Sequence, residues 1–275
     1  MRLTLLTACL FGFVCPKSID RNVLVRLNNP PHISIINGIP AQAGDFPFMA
    51  SLLFPFTTGY RLCGGTLIAS SYILTAGHCV DGLPTNTGNG YVFINSLNIT
   101  GGGPGSLVRR VSSYVAHQQF FVNTTHVVIT TSRPVVTTIK TTTKRLAAHL
   151  RAFSTYSNES AIITGWGKTS SGSVSQTLQK ANVTVYDNSV CSEQWGNTFD
   201  GSTQLCAAQL NTAICLGDSG GPIFVNGNVQ IGVVSFVSDS GCDDPTHVPV
   251  FTRVSAYLGW IAATMASNPP PASGK

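Results

Sequence analysis

The chain has 275 residues and a formal net charge of +5, with charged side chains at 10% and hydrophobic ones at 43%. So little charge beside so much apolar content excludes a disordered chain, and the modest positive balance gives no reason to expect a nucleic-acid partner. The length allows one large domain or two small ones, and richness in Gly, Ser, Thr and Val favours β structure.

The N-terminus reads "MRLTLLTACLFGFVC", one Arg before an apolar run from Leu3 to Val14. That is the pattern of a secretory signal over residues 1–15, too short to cross a bilayer, and it predicts a secreted, extracellular protein without a membrane partner. Residues 16–34, which hold "NNPPH", read as a leader in turn and extended chemistry. From Ile35 onward short apolar segments recur between Gly, Pro and Asn punctuation. They are "FPFMASLLF", "GGTLIASSYILTA", "GYVFI", "VRRVSSYVAH", "HVVIT", "AIITGWG", "QKANVTVY", "GPIFV", "VQIGVVSFV" and "VPVFTRV". Strands at this spacing predict an all-β sandwich or barrel rather than βαβ units. One helix is expected over 255–266, with Val254, Tyr257, Leu258, Ile261, Ala262 and Met265 on one face and Ser255 as N-cap. Residues 268–275 form a Pro-rich tail that cannot extend it.

Of eight cysteines, Cys9 and Cys15 fall in or beside the signal, which leaves Cys63, Cys79, Cys191, Cys206, Cys215 and Cys242. An even number in a secreted chain implies three bridges, in more pairings than the residues alone can choose between. No CxxC occurs, so no metal or other cofactor is expected. Four sequons, at Asn98, Asn123, Asn158 and Asn182, are candidate glycosylation sites. From Gly82 to Asn158 there is no Asp or Glu, while Arg109, Arg110, Arg133, Lys140, Lys144, Arg145 and Arg151 all fall there. Such a run is either a solvated face or a surface for an anionic glycan.

Three segments carry chemistry. "CLGDSGGP", from Cys215 to Pro222, sets a serine among glycines whose N–H groups can face a small site. "LTAGHC", from Leu74 to Cys79, ends an apolar strand on a histidine beside a cysteine. "SIINGIPA", from Ser34 to Ala41, would give an apolar new terminus if cut before Ile35. With "TGWG" between the histidine and serine segments, the chain resembles the chymotrypsin-type serine peptidases from about Ile35 to Met265. The run "VVSFVSDSGC" looks most like their arthropod digestive and collagenase-like branch.

The resemblance implies two antiparallel six-stranded β-barrels and a C-terminal α-helix within a domain over residues 35–267, the first barrel near 35–145 and the second near 146–253. It implies the bridges Cys63–Cys79, Cys191–Cys206 and Cys215–Cys242. It makes Ser219 the nucleophile, His78 its base, the N–H groups of Gly217 and Ser219 the oxyanion hole, and Asp218 the partner of the Ile35 α-amino group after cleavage. A monomer acting on a polypeptide substrate, or binding a protease inhibitor, follows from the same likeness.

The chain departs from the family's pattern where the third catalytic residue should be. The family's "NDIAL" aligns with "THVVI", so His126 occupies the position of the orienting Asp. A neutral imidazole can hold the tautomer of His78 but cannot stabilise the imidazolium formed as Ser219 loses its proton. Turnover lowered by ~10³–10⁵ is the expectation, since loss of such a carboxylate costs ~10⁴. Two facing histidines with no third ligand in view give no case for a metal. Ser34 precedes Ile35 where a basic residue usually directs cleavage, and Gly77 replaces an Ala. The specificity pocket falls on Ala213, Val237 and Pro249, which predicts a shallow apolar site for small side chains. Two other readings stand beside an impaired peptidase: a slow but working endopeptidase for small apolar residues, and a non-catalytic binder of anionic glycans or inhibitors.

Overall fold

The computed structural model describes the backbone of Leu24–Val25 and His126–Thr131 and, with side chains, residues 35–56, 59–83, 90–118, 148–151, 155–169 and 172–269. In chain order the strands are β1 (Leu24–Val25), β2 (Ile39–Pro40), β3 (Met49–Phe56), β4 (Gly59–Ala69), β5 (Tyr72–Ala76), β6 (Tyr91–Ile94), β7 (Leu107–Ala116) and β8 (His126–Thr131). There follow β9 (His149–Leu150), β10 (Ser160–Gly165), β11 (Gln179–Val185), helix α1 (Asn188–Trp195), β12 (Gln204–Ala208), β13 (Pro222–Val225), β14 (Val229–Phe236), β15 (Val250–Arg253) and helix α2 (Leu258–Ser267).

The first sheet runs β1-β4-β3-β6-β7-β8-β5, and a further β4–β5 pairing closes six of these strands into a barrel. The second runs β10-β13-β14-β15-β12-β11-β2 and is closed by β10–β11, with β9 added on β14. Closure explains the sequence: a barrel leaves little edge to protect, so its strands need few charges. β3 is buried over its first six residues, β5 over all five and β13 over all four. These are two-sided strands, covered outside as well as in, which is why their apolar runs are continuous rather than alternating.

One apolar cluster joins Leu52, Ile73 and Val92 of the first barrel to Trp166, Phe224, Val233 and Ile261 from the second half of the chain. A second holds Ile35, Ile163, Val183, Ile223 and Phe251. Between the barrels, Trp166 is 1% exposed and its Nε1 donates to the Leu97 carbonyl at 3.0 Å. Leu178 N–H donates to the same carbonyl at 2.7 Å, and Ile99 N–H donates to that of Gln176 at 2.9 Å. The Phe48 ring lies 4.8 Å from that of Phe224.

The helix read from residue 255 opens instead as a 3₁₀ turn, Val254–Tyr257, before α2. Ser255 does not cap it: its buried hydroxyl has no hydrogen-bond partner among the described residues. At the other end the Tyr72 hydroxyl lies 3.1 and 3.0 Å from the Met265 and Asn268 carbonyls, fixing α2 to β5. The sequence reading did not find α1, whose N-cap Asp187 accepts from Ser189 N–H. It also missed β12 and the two-residue strands.

The three bridges pair as the resemblance implied, Cys63–Cys79, Cys191–Cys206 and Cys215–Cys242. Cys63–Cys79 closes a loop with a sequence separation of 16. Replacing both of its cysteines by Ala should lower unfolding free energy by about 3 kcal/mol, read from urea midpoints with the other bridges intact.

Candidate active site

His78 stands half-buried in a 3₁₀ turn, Gly77–Cys79, which ends β5. What holds this turn is Arg61, only 5% exposed, from the facing strand β4. Its guanidinium donates to the carbonyls of His78 at 3.2 Å, Cys79 at 3.3 Å and Asp81 at 2.7 Å, and lies 4.3 Å from the Phe56 ring centre. Carbonyls at the end of a helical turn lack intrahelical partners, and a guanidinium fork satisfies several at once.

Ser219 lies in the loop between β12 and β13, tied to the same two strands. Its carbonyl accepts from Gly64 N–H of β4 at 2.8 Å and sits 3.6 Å from Sγ of Cys79, the neighbour of His78. Glycines make this approach possible. A Cβ on Gly64 would come within 2.8 Å of the Gly221 Cα, and one on Gly220, at φ +78°, within 2.1 Å of Thr75 Oγ1. Gly217 has φ +101°. Among the described residues, neither its N–H nor that of Ser219 has a backbone acceptor.

Behind Ser219 the Asp218 carboxylate is fully buried. It accepts from Gly167 N–H at 2.7 Å and Cys215 N–H at 2.9 Å. Any Cβ at Gly165 or Gly167 would stand 2.0 or 2.4 Å from its oxygens, which is why "TGWG" needs both glycines. Burial pushes its pKa up to about 7, against the pull of the two N–H donors. Ile35 is fully buried in the second barrel's core, and Ile36 N–H donates to the Ala213 carbonyl at 3.1 Å. The segment that would follow a cut before Ile35 thus already lies along the residues that lead to Asp218.

His126 begins β8, and its backbone pairs with Ala76 of β5, two residues before His78. The described part of the acid-free stretch contributes Arg110, which donates to the Tyr91 hydroxyl at 3.1 Å. Arg133, Lys140, Lys144 and Arg145 lie outside the described residues. Ala213 and Pro249 are buried and Val237 is half-buried. The segment leading to Pro249 is braced by α1: Gln194 accepts from Val248 N–H at 2.8 Å and Trp195 donates to the Val248 carbonyl at 2.9 Å. The Trp195 ring also stands 5.0 Å from that of Phe236, edge to face. An open groove of about 500 Å³ borders α2, and none of these residues lines it. Asn98, Asn158 and Asn182 are exposed, while Asn123 lies outside the described residues.

Arg61 and the α1 brace are what the sequence reading missed. A lone Arg in an apolar strand, "GYRLCGG", was the available signal for the first.

A family model described as Trypsin matches residues 35–261. Chymotrypsin-like elastase family member 1 of Macaca fascicularis is 34% identical over 247 residues, 85% of this chain and 90% of the relative. Trypsin Blo t 3 of Blomia tropicalis is 32% identical over 236 residues, 82% of this chain and 84% of the relative. The solved structure of HL collagenase superposes with a TM-score of 0.69 at 27% identity, over 84% of this chain and 99% of that one.

Asp218 sets a pH dependence with a definite sign. Its folded pKa lies above its unfolded value of 3.8, so its contribution is present at low pH and is lost as pH rises toward about 7. Between pH 5 and pH 8 the uncut chain should lose roughly 3 kcal/mol through this group. His117, held below its ordinary value by burial, acts in the opposite sense. The difference between the natural chain and Asp218→Asn in urea midpoints across this range isolates the carboxyl, and the variant's profile should be the flatter one.

Proposed function

The chain belongs to the trypsin family, whose members are serine endopeptidases, and on that premise we propose that it is a secreted peptidase homologue whose hydrolysis is strongly impaired because His126 replaces the orienting carboxylate. The observation that carries this reading is the β5–β8 register, Ala76 opposite His126, two residues from His78. Supporting it, the Ser219 carbonyl contacts Cys79, so the serine loop and the histidine turn meet.

In the proposed mechanism the Ser219 hydroxyl attacks the peptide carbonyl while His78 takes its proton. The oxyanion would lie against the N–H groups of Gly217 and Ser219. The step that suffers is the formation of imidazolium at His78, which no carboxylate from the flanking strand stabilises. A loss of ~10⁴ in turnover corresponds to about 5.5 kcal/mol in the barrier. Cleavage before Ile35 would free an α-amino group whose positive charge meets the buried Asp218, turning an unfavourable carboxylate into half of an ion pair. The pocket on Ala213, Val237 and Pro249, with no carboxylate at its floor, would accept small apolar side chains.

Secretion rests on the signal-like N-terminus and on three bridges, which persist in oxidising compartments. Among the described residues no helix is long and apolar enough to cross a membrane.

The test compares kcat/KM on a mixed peptide library for the natural chain and His126→Asp, both bearing Ile35 as free N-terminus. His126→Asp should gain at least ~10³-fold. An ordinary rate in the natural chain would instead establish a working endopeptidase. Silence in both would leave a non-catalytic binder of inhibitors or anionic glycans.

A further inference from the structure

β4 has two edges with different occupants. One is zipped to β3 along its length, from Met49↔Thr66 to Phe56↔Gly59. The other carries three partners in a line: Leu24 and Val25 of β1 opposite Arg61 and Tyr60, then Gly64 N–H on the Ser219 carbonyl at 2.8 Å, then β5 from Thr66↔Leu74 onward. β1 lies outside the closed barrel and, among the described residues, pairs with β4 alone. The residues before Ile35 therefore contribute a strand to the same edge that holds the backbone of Ser219. From Arg61 to Gly64 is three residues, about 10 Å along an extended strand.

We propose that Leu24–Val25 is a built-in occupant of this edge, an intramolecular strand that covers the β4 backbone beside Ser219 until the segment before Ile35 is removed. The inference rests on the reading of residues 16–34 as a leader cut before Ile35.

Three features fit the surface to this occupant. A short antiparallel addition to a sheet edge is how extended peptides are bound, with main-chain hydrogen bonds supplying the affinity. The edge is stiff and its register is tied to the site, because Arg61, opposite Leu24, also anchors the carbonyls of His78, Cys79 and Asp81. Tyr60, opposite Val25, is 36% exposed, which gives a docked strand an aromatic surface to lie against. The Arg61 charge is buried, so the edge selects for strand geometry and apolar side chains rather than for an acidic partner. Release of β1 would uncover the backbone groups that β4 turns toward it beside Ser219.

Amide exchange read by mass spectrometry on peptides covering residues 59–62 tests this without requiring catalysis. The full chain is compared with Leu24→Pro/Val25→Pro, which removes both strand N–H groups, and with chain cut before Ile35 at an engineered enteropeptidase site in residues 30–34 and freed of its leader. Exchange across 59–62 should quicken by about tenfold or more in both, and a synthetic peptide of residues 19–30 should restore protection to the cut chain. Equal exchange in all three forms, or no effect of the peptide, overturns the docking strand. N-terminal sequencing of the natural secreted protein judges the leader separately. A start at Ile35 supports release of the strand, and a start before Leu24 overturns release while the exchange data still decide the pairing.

Discussion

The Asp218 carboxylate, sealed from water between two backbone N–H donors, is the constraint around which the site is arranged. A charged group taken fully out of water is costly unless it is paired, and two amide dipoles do not replace a cation. The chain accommodates it by giving up side chains: Gly165 and Gly167 leave the space in which the carboxylate sits. That accommodation fixes the loop from Cys215 to Gly221, and with it the direction in which the N–H groups of Gly217 and Ser219 can face. Whatever neutralises Asp218 therefore acts on the direction of those two N–H groups through one turn.

The histidine and serine segments come from opposite halves of the chain, yet β4 holds both. Arg61 grips the turn after His78, Cys63 is bridged to Cys79, and Gly64 carries the Ser219 carbonyl. These three residues fall within one short stretch of extended strand, where Arg61 and Cys63 share a face and serve the histidine turn while the Gly64 backbone serves the serine loop. The consequence is that Ser219 and the turn of His78 are located by one piece of backbone, while residue 126 belongs to a separate strand, β8. On the proposed reading, a change at position 126 would leave the other two residues in place.

Much of this was legible in the residues. Short apolar runs between Gly, Pro and Asn gave the β class, and the segments around His78 and Ser219 are so constrained by close backbone approach that their glycines mark them. The bridges could be paired only through resemblance, since spacing does not say which loops meet in space. What stayed hidden was of two kinds. α1 has a polar surface and buries only Cys191, so no apolar stripe announces it. Ser255 reads as a helix cap, but tertiary packing of Val254 and Tyr257 tightens the first turn to 3₁₀ and the hydroxyl is left buried. Arg61 stands out in the sequence as a charge in an apolar strand, but its role is legible only after folding, because its partners are carbonyls of a later turn.

The placement of β2 has a further consequence. Ile39–Pro40 pairs with β11 of the second barrel, and Ile36 is already bonded to Ala213. A terminus created at Ile35 would be a tether of a few residues, pinned at one end to the barrel that contains Asp218. Its amine would search a volume only a few ångströms across, at an effective concentration in the millimolar range or above. On the proposed activation, most of the entropy of bringing the two charges together would thus be spent when the uncut chain folds, and cutting one peptide bond would have only to supply the charge.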